Sequence, residues 1–563
     1  MLVRSGLALP LRRMGHGVAA PLGVRGDAMG SVEEKAHERR WWILAVLCFS
    51  LLVIVLDNSI LNVAIPTIIR DLGATNRQLQ WMVDSYTLVF AGLLLTAGAL
   101  GDRFGRRPAL QVGFVIFGLG SLISAFATSA NQLILTRGVM GIGGALIMPA
   151  TLSIITNVFP PHERGRAIGV WAGVAGLGGA LGPLTGGFLV EHFYWGSVFL
   201  VNLPIVLVGL LAGFFLIPNS KDPSGPRVDP VGAAMSIIGL TALLFAIIEA
   251  PTEGWSDPVV VATGSCGLVL LGLFVWWERR STHPMLDVRF FANPRFSAAS
   301  ASITLVFFAM FGSIFLLTQY FQFVLGYTPL ETGVRMLPFA MTMMVVAPTS
   351  SRIVERIGTK ITVTTGLVLV TSGLLSMTML EVDSSYPQVV WRLMLMAMGM
   401  GLTMAPATDS VMGSLPLAKA GVGSAVNDTT RQVGGALGVA VIGSVLATTY
   451  GDKVTSAMQA VGAPDEAIEA ATSSLGGAAA VAARVGGETG NALLQVANQA
   501  FVDALHWGVA VAAIPTAIGA VVALLYLPAR ARSADAAGQD QEFLDEHRDD
   551  SDIDRIRTEL DPT

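Results

Sequence analysis

The chain alternates between long apolar runs and short polar segments over most of its length. Each run is about 20 residues long with few or no charges, the length that an α-helix needs to cross a bilayer. Backbone groups in lipid must be hydrogen-bonded within the chain, so such runs indicate helices, and the alternating pattern of a membrane β-barrel is absent. We predict an all-α integral membrane protein with about fourteen transmembrane helices. The runs lie near residues 42–65, 81–100, 109–127, 133–158, 167–189, 198–217, 231–249, 259–277, 296–321, 334–353, 361–380, 389–412, 422–448 and 504–527.

The spans divide into two sets of six with two further helices between them. A charged turn follows the second span at residues 101–108, and a degenerate version, residues 351–360, follows the tenth. With the seventh and eighth spans set aside as extra, these turns hold equivalent places in two pseudo-symmetric six-helix bundles. The predicted units are an N-terminal tail 1–40, a first bundle 41–217, two extra helices with flanking loops 218–295, a second bundle 296–528 with a long outer loop 449–502, and a C-terminal tail 529–563.

Positive charge falls in alternate loops and sets the expected orientation. The turn 101–108 belongs to the loops that are rich in Lys and Arg, and the intervening loops are nearly free of them. Because positive loops stay inside, we expect this turn and both tails on the cytoplasmic side of the cell membrane. The outer loop 449–502 is either a spacer or a flap over an outer vestibule, and its pieces 464–473 and 492–505 have an amphipathic helical pattern.

Composition excludes several classes of protein. Charged residues make up 13% and apolar residues 53% of the chain, which is too apolar for a soluble fold. The net charge of −5 comes without a basic stripe, so we expect no nucleic-acid partner. Cys48 and Cys266 both lie in apolar spans and do not resemble a disulfide framework, metal site or redox pair. We expect no cofactor and no metal. Nothing in the sequence resembles a catalytic triad or an ATP-binding phosphate loop, so we expect no enzyme.

The sequence GDRFGRRP at residues 101–108 is a tight, highly charged turn between two spans. Its glycines let the backbone turn within a few residues. We expect its arginines to stay in water and to anchor the turn on the cytoplasmic side. The candidate functional residues of this turn are Gly101, Asp102, Arg103, Gly105, Arg106 and Arg107.

Asp57 is the clearest charged residue inside a span. It lies about 22 Å along a helix that begins near Trp42, with apolar residues for more than a turn on either side. Charge at such a depth is costly and is functional by default. Because Asn58, Ser59 and Asn62 surround it, we expect it to face a polar interior and to take up and release a proton. The alternative is a structural hydrogen bond to a neighbouring helix.

Arg137 is the natural partner of Asp57, since it lies well inside the fourth span. An arginine keeps its proton and is therefore a fixed positive charge. A fixed charge beside a titratable carboxyl favours the ionised carboxylate, and a conformational change that separates the two releases this bias. A proton-coupled cycle requires this behaviour. The alternative is a buried ion pair that only holds the bundle together.

The fifth span is unusually rich in glycine and contains a proline. Glycines four residues apart let helices approach closely. The proline removes one backbone hydrogen bond and allows a kink. Tight packing is one role of this pattern. Its residues are Gly178, Gly182, Pro183, Gly186 and Gly187.

Several further residues are candidates for contact with a small molecule. Asp84 lies at the outer end of the second span, where it either contacts such a molecule or caps the helix. Asp428 and Arg431 are three residues apart and can pair on one helix face, either as a structural pair or as part of a binding site. The full set of candidates is Asn58, Asn62, Trp81, Asp84, Tyr86, Asp428 and Arg431.

Together these strings resemble the major facilitator superfamily of transporters, and within it the fourteen-helix drug:proton antiporters of the EmrB/QacA type. The resemblance covers residues 41–527. GDRFGRRP resembles the loop signature between the second and third helices, and GPLTGG at 182–187 resembles the antiporter signature. The other matching strings are LDNSILNVAIP, WMVDSYTLVFAG, LTRGVMGIGGALIMPA and SAVNDTTRQVGGALG.

The resemblance implies proton-coupled secondary active export of amphipathic or hydrophobic small molecules by alternating access, as in multidrug efflux. It implies that Asp57 and Arg137 carry the coupling and that the charged residues of the turn 101–108 gate the cytoplasmic face. The partners expected are the small molecule, protons and membrane lipids, and we expect a monomer. The alternatives are export of an endogenous lipid, siderophore or peptide, or a receptor or scaffold without transport. The central helices, 231–277, have no acid between residues 232 and 248 or between residues 259 and 277, so we expect them to be peripheral to the route.

Overall fold

The computed structural model describes residues 38–223, 229–460 and 463–529, apart from the side chains of Asn62, Pro66, Asn76 and Ala180. Within these ranges the chain is helical without a strand, and fourteen helices are long and apolar enough to cross a membrane. This confirms the predicted fold class. The predicted tails 1–40 and 529–563 lie almost wholly outside the described residues.

The fourteen long helices are numbered in chain order. They are α1 (Arg40–Leu72), α2 (Asn76–Phe104), α3 (Arg106–Ala125), α4 (Ala130–Val158), α5 (Pro161–His192), α6 (Asn202–Leu216), α7 (Pro230–Glu253), α8 (Pro258–Glu278), α9 (Pro294–Gln319), α10 (Pro329–Ile357), α11 (Thr359–Met377), α12 (Tyr386–Met412), α13 (Ala420–Ala460) and α14 (Gly487–Tyr526). A helical turn, Ser197–Leu200, precedes α6, and a π-helical turn, Tyr320–Val324, follows α9.

Capping residues mark where several helices begin. At α2, the backbone N–H of Gln78 donates to Thr75 Oγ1 at 3.3 Å, and Gln78 Oε1 accepts from Thr75 N at 3.0 Å. At α8, Asp257 precedes a proline and accepts from two backbone N–H groups.

Successive helices alternate in direction, so the connections fall at two ends of the bundle. We call the end that holds residues 101–108 the turn end, and the opposite end, which holds residues 463–486, the loop end.

Two hydrophobic cores lie in the two halves of the chain. The first is built mainly from α1 to α6 and buries residues such as Leu47, Phe114 and Phe199. The second is built mainly from α9 to α14 and buries residues such as Phe296 and Leu393. The bundles meet where α5 packs on α10 and where α2 and α4 pack on α13. The contacts of Asp102 with α13, described below, lie at one of these seams.

The two extra helices differ in position. Helix α7 packs against both α2 and α13, whereas α8 packs mainly on α7. Gly92 of α2 faces Thr241 of α7, and Trp255 Nε1, after α7, donates to Ser444 Oγ of α13 at 2.9 Å. Helix α7 therefore fills the seam between the bundles, whereas the expectation that both helices are peripheral to the transport route stays a prediction. A lack of acids in a helix does not determine where its apolar surface packs.

The segment 449–502, predicted as a long loop, is largely helical. Helix α13 continues to Ala460 and α14 begins at Gly487, and residues 463–486 contain two short helices, Asp465–Ser473 and Leu475–Val485. The Tyr450 hydroxyl donates to the carbonyl oxygen of Ala471 at 3.0 Å. These short helices pack on the second bundle. The apolar criterion ended both spans too early because Ala-rich, weakly apolar sequence continues the helices beyond the most apolar stretch.

Candidate functional site

Asp57 and Arg137 form an ion pair inside the first bundle, between α1 and α4. Asp57 is 0% exposed and Arg137 is 1% exposed. Arg137 Nη1 donates to Asp57 Oδ2. Asp57 lies 17 residues after Arg40, so it is about 26 Å along α1 from the turn end. The structure thus brings together the two residues that the sequence paired.

Asn202, the first residue of α6, completes the surroundings of Asp57. Its Nδ2 donates to Asp57 Oδ1 at 2.8 Å and to Ser121 Oγ of α3 at 3.0 Å. Both carboxylate oxygens of Asp57 therefore have a partner. The sequence analysis did not single out Asn202, although a lone amide at the start of an apolar span was an available signal.

Arg137 is held by two further contacts from α2. Its Nε donates to the carbonyl oxygen of Met82 at 3.2 Å, and its guanidinium lies 4.4 Å from the ring centroid of Tyr86. Tyr86, a predicted candidate for substrate contact, is 1% exposed and stacks on Phe90. Arginine binds aromatic faces and carbonyl oxygens in this manner without losing its charge.

The turn 101–108 is a break of one residue between α2 and α3. Gly105 has a φ of 113°, which favours glycine over any residue with a side chain. Asp102 is 2% exposed and Arg106 is 1% exposed. The prediction that the arginines of this turn stay in water is therefore wrong for Arg106. Its Nε and Nη2 donate to Asp102, and Nη2 also donates to carbonyl oxygens from a segment more than 300 residues away in sequence, which allows this arginine to be buried.

Asp102 and Arg106 join the first bundle to the second at the turn end. Asp102 accepts from the backbone N–H of Gly421 at 2.8 Å and from that of Val422 at 3.0 Å, at the start of α13. Arg106 Nη2 donates to the carbonyl oxygen of Leu417 at 2.6 Å. A carboxylate at a helix N-terminus satisfies free N–H groups and opposes the positive end of the helix dipole. We call these contacts the latch.

The segment after α6 is hydrogen-bonded to both residues of the latch. The backbone N–H of Arg106 donates to the carbonyl oxygen of Ser220 at 2.9 Å, and that of Asp222 donates to the carbonyl oxygen of Asp102 at 2.7 Å. Asp222 is 3% exposed, and Lys419 Nζ, just before α13, lies 3.3 Å from its Oδ2. No residue of this segment was among the predicted site residues.

The remaining charged residues of the turn lie beside aromatic rings. The guanidinium of Arg103 is 5.1 Å from the ring centroid of Phe104, and that of Arg107 is 4.7 Å from the ring centroid of Phe214. Both arginines are partly exposed. They therefore differ from the buried Arg106. Gly101 is buried, and a Cβ added there would contact Ala109 at 3.7 Å.

The glycines of α5 lie in close contacts with α1. A Cβ at Gly178 would lie 3.0 Å from Val55, and one at Gly186 would lie 2.8 Å from Ile60. A Cβ at Gly182 would overlap Ser59. Contacts this close explain the absence of larger side chains at these three positions.

The same helix meets α10 of the second bundle. Pro183 lies inside α5, and a Cβ at Gly333 of α10 would be 3.1 Å from it. A Cβ at Gly187 would be 3.8 Å from Leu330, an ordinary contact. Towards the turn end, a Cβ at Gly169 would be 2.5 Å from the carbonyl oxygen of Ala347. Helix α5 is therefore packed on both bundles along much of its length.

The other candidates do not gather at one place. The Asn58 amide donates to the carbonyl oxygen of Ile54 at 3.1 Å within its own helix, and the side chain of Asn62 lies outside the described residues. Trp81 and the partly buried Asp84 are on α2, and Trp81 packs against Phe245 of α7 with ring centroids 6.0 Å apart. The described residues include no group of three or more His, Cys, Asp or Glu side chains that could hold a metal ion.

Asp428 and Arg431 form a second buried pair, in α13 of the second bundle. They are 1% and 4% exposed, and their closest nitrogen and oxygen atoms are 3.7 Å apart. Arg431 Nη2 donates to Thr408 Oγ1 of α12 at 3.2 Å. Two charged clusters therefore contain predicted residues, one around Asp57 and Arg137 in the first bundle and one around Asp428 and Arg431 in the second.

Comparison with known proteins identifies the family to which this chain is similar. Residues 47–439 match the Major Facilitator Superfamily. The multidrug efflux pump LfrA of Mycolicibacterium smegmatis is 36% identical over 494 residues, which cover 88% of this chain and 95% of that protein. The tetracenomycin C resistance and export protein of Streptomyces glaucescens is 31% identical, covering 86% and 91%. The methyl viologen resistance protein SmvA of Salmonella typhimurium is 35% identical, covering 82% and 93%.

Solved structures share the fold at low sequence identity. The human organic anion transporter MFSD10 superposes with a TM-score of 0.53 at 15% identity, covering 86% of this chain and 99% of that one. A bacterial homologue of the human lysosomal transporter Spinster, in an inward-facing and unoccupied conformation, also superposes with a TM-score of 0.53, at 18% identity, covering 91% and 99%. At these identities the likeness concerns the fold alone.

Proposed function

Because this chain belongs to the major facilitator superfamily, we propose that it exports amphipathic or hydrophobic small molecules across the cell membrane in exchange for protons. Its relatives at 31–36% identity include proteins named for multidrug efflux, for export of tetracenomycin C and for resistance to methyl viologen. The class of function is a transporter and not an enzyme.

The turn end faces the cytoplasm in this proposal. Lys and Arg residues concentrate in the connections at this end, and positive loops stay on the cytoplasmic side. Both chain termini then lie in the cytoplasm, because an even number of described spans separates them. The loop end, with its two short helices, faces outward.

The observation that carries the proton coupling is the complete burial of Asp57 against Arg137. A carboxylate without water needs partners for both oxygens, and here Arg137 and Asn202 supply them. A proton that binds Asp57 removes the negative charge and leaves the positive charge of Arg137 without its partner. The guanidinium must then find other acceptors, so protonation favours a different packing of α1 and α4. Release of the proton restores the pair.

The latch supplies the gate at the cytoplasmic end. Asp102 and Arg106 contact the second bundle only while the turn ends of the two bundles are close together. Opening the route to the cytoplasm separates α2 from α13 and breaks these hydrogen bonds. The latch therefore stabilises the state that is closed to the cytoplasm, and the cycle alternates between making and breaking it.

The substitution Asp57→Asn tests the coupling. It removes the titratable charge with little change in volume, so the protein should insert and bind substrate but lose proton-driven export. Growth inhibition by a panel of toxic compounds, in a strain without its own exporters, identifies a substrate. Purified protein in liposomes then reports proton flux on addition of that substrate. We expect the flux to vanish in the variant.

Asp503→Asn is the matched control, because Asp503 also pairs with a cation, Lys453, but lies partly exposed near the loop end. It should leave coupling intact. Wild-type proton flux in Asp57→Asn would rule out Asp57 as the proton carrier. If the protein exports an endogenous lipid, siderophore or peptide but no drug, the proposal narrows to a dedicated exporter. If it transports nothing, a receptor or scaffold is favoured.

A further inference from the structure

The second buried ion pair has incomplete hydrogen bonding. The 3.7 Å separation between Arg431 Nη1 and Asp428 Oδ1 is longer than a hydrogen bond. Asn427 Nδ2 donates to Asp428 Oδ1 at 3.3 Å, and Thr408 accepts from Arg431. Within the described ranges, Arg431 Nε and Asp428 Oδ2 have no hydrogen-bond partner.

Trp171 of α5 brings a third such atom from the opposite bundle. Trp171 is 0% exposed, and the guanidinium of Arg431 lies 4.7 Å from its ring centroid. The same guanidinium is 5.3 Å from the ring centroid of Phe307 on α9. Trp171 Nε1 likewise has no hydrogen-bond partner in the part of the chain that the structure describes. The cluster is therefore assembled from both bundles.

The position of the cluster suits a central binding site. Trp171 lies ten residues from the first residue of α5, and Arg431 lies eleven from the first residue of α13, and both of these helices begin at the turn end. Each is thus about 15 Å from that end, near the middle of a bilayer core about 30 Å thick. Transporters of paired bundles hold their substrates at this depth, between the bundles.

The carboxylate of Asp57 differs from that of Asp428, although Tyr86 Oη and Asn202 Oδ1 beside it also lack a hydrogen-bond partner within the described residues. Both oxygens of Asp57 are paired, so this chain can satisfy a buried carboxylate completely. Leaving a buried polar group without a partner is costly, and native proteins rarely do so. Three such atoms around one guanidinium indicate a place where a polar group of a ligand completes the bonds.

We propose that Asp428, Arg431 and Trp171 form a subsite that binds an uncharged hydroxyl or amide group on an aromatic part of the exported molecule. This rests on the proposed export function. Arg431 Nε and Trp171 Nε1 donate and Asp428 Oδ2 accepts, which matches groups that both accept and donate hydrogen bonds. The charges of Asp428 and Arg431 cancel, so the subsite offers no net attraction to a permanent cation. The rings of Trp171 and Phe307 provide aromatic faces for stacking.

Trp171→Phe tests the subsite, because it removes the N–H donor and keeps an aromatic ring. Puromycin carries amide and hydroxyl groups on an aromatic framework, whereas methyl viologen is an aromatic dication without such groups. Calorimetric binding of each compound to the purified full-length protein should give roughly 5- to 30-fold weaker puromycin binding in the variant. Methyl viologen binding should not change. Trp195→Phe is the control, since Trp195 is 6% exposed and packs on Phe199 inside the first bundle.

Three results would overturn the subsite: no puromycin binding by the wild type, equal puromycin affinity in Trp171→Phe, or an equal loss for both compounds. If the variant does not fold, Asp428→Asn, which has nearly the same shape, must lower puromycin affinity. Methyl viologen is not a control for this variant, because the substitution leaves Arg431 as a net positive charge that repels a dication. Failure of the export proposal is distinguishable. Puromycin binding that Trp171→Phe weakens, with no puromycin-driven proton flux in liposomes, would refute export and retain the subsite.

Discussion

The substitution Asp102→Asn should weaken the latch and slow transport more than it weakens substrate binding. Asp102 accepts two backbone hydrogen bonds across the bundles, from Gly421 and Val422, and pairs with Arg106 at 3.0 Å. Asparagine keeps one acceptor oxygen, so at least one of the backbone bonds and the ion pair are lost. Hydrogen bonds to a charged group contribute about 1.5–3 kcal/mol each. A loss of about 3 kcal/mol changes the ratio of closed to open states roughly 100-fold.

Cysteine labelling measures this shift directly. Ala425 of α13 is 0% exposed and faces Gly98 just above the latch, so a cysteine there reacts with a water-soluble maleimide only when the turn end opens. In a background without Cys48 and Cys266, Ala425→Cys should label up to roughly 100-fold faster when Asp102→Asn is added. The maximal transport rate should fall in the same variant, with substrate affinity in detergent changed far less, because the latch lies away from the buried pair at Asp57.

Asp257→Asn is the matched control for this experiment. Asp257 also accepts from two backbone N–H groups, those of Val259 at 2.8 Å and Val260 at 3.2 Å, but within its own helix. It should change neither labelling nor transport. Unchanged labelling in Asp102→Asn, or a large loss of affinity at an unchanged maximal rate, would refute the gating role.

Two further predictions concern the surroundings of the latch and the seam at α7. Gly92→Val should push α2 away from Thr241 of α7 and lower both the melting temperature and the transport rate. The control is Gly272→Val on α8, whose added Cβ would meet no atom within 4 Å and which should be neutral. Equal effects of the two substitutions in a melting assay would contradict the packing role of α7. Lys419→Ala and Asp222→Asn should each speed the labelling of Ala425→Cys only a few-fold, because the charge of Lys419 is partly exposed. The double variant should label no faster than either single variant, because both remove the same ion pair. Additive effects would mean that the two residues act separately.

The sequence predicted the crossings and the first ion pair because both depend on local composition. A bilayer requires about 20 apolar residues per helix, and a charge in such a run is conspicuous wherever the run packs. Asp57 and Arg137 stand out for this reason. The tail of α13 and the first residues of α14 were missed because their Ala-rich sequence lacks the apolarity that marks a span, whereas the amphipathic pattern at 464–473 and 492–505 did indicate the helices found there.

Residues whose importance depends on long-range packing were not predictable. Arg106 is charged and lies in a turn, so its sequence indicates exposure, yet carbonyl oxygens near α13 bury it. Trp171 resembles an ordinary apolar residue until the opposite bundle places Arg431 on its ring. Asp222 follows a helix end and resembles a solvated loop residue, but it lies 3% exposed beside Lys419. In each case the decisive contact comes from a segment far away in the chain.

The two buried pairs also determine how the membrane potential acts on the carrier. Asp57 with Arg137 and Asp428 with Arg431 are each neutral units, and each unit belongs to a single bundle. When the bundles rock, these pairs carry no net charge through the electric field. A proton on Asp57 changes this, because the first bundle then moves one positive charge. The field supplies about 2.3 kcal/mol per charge at 100 mV. In the proposed cycle, voltage therefore drives the proton-loaded carrier and leaves the unloaded one almost unaffected.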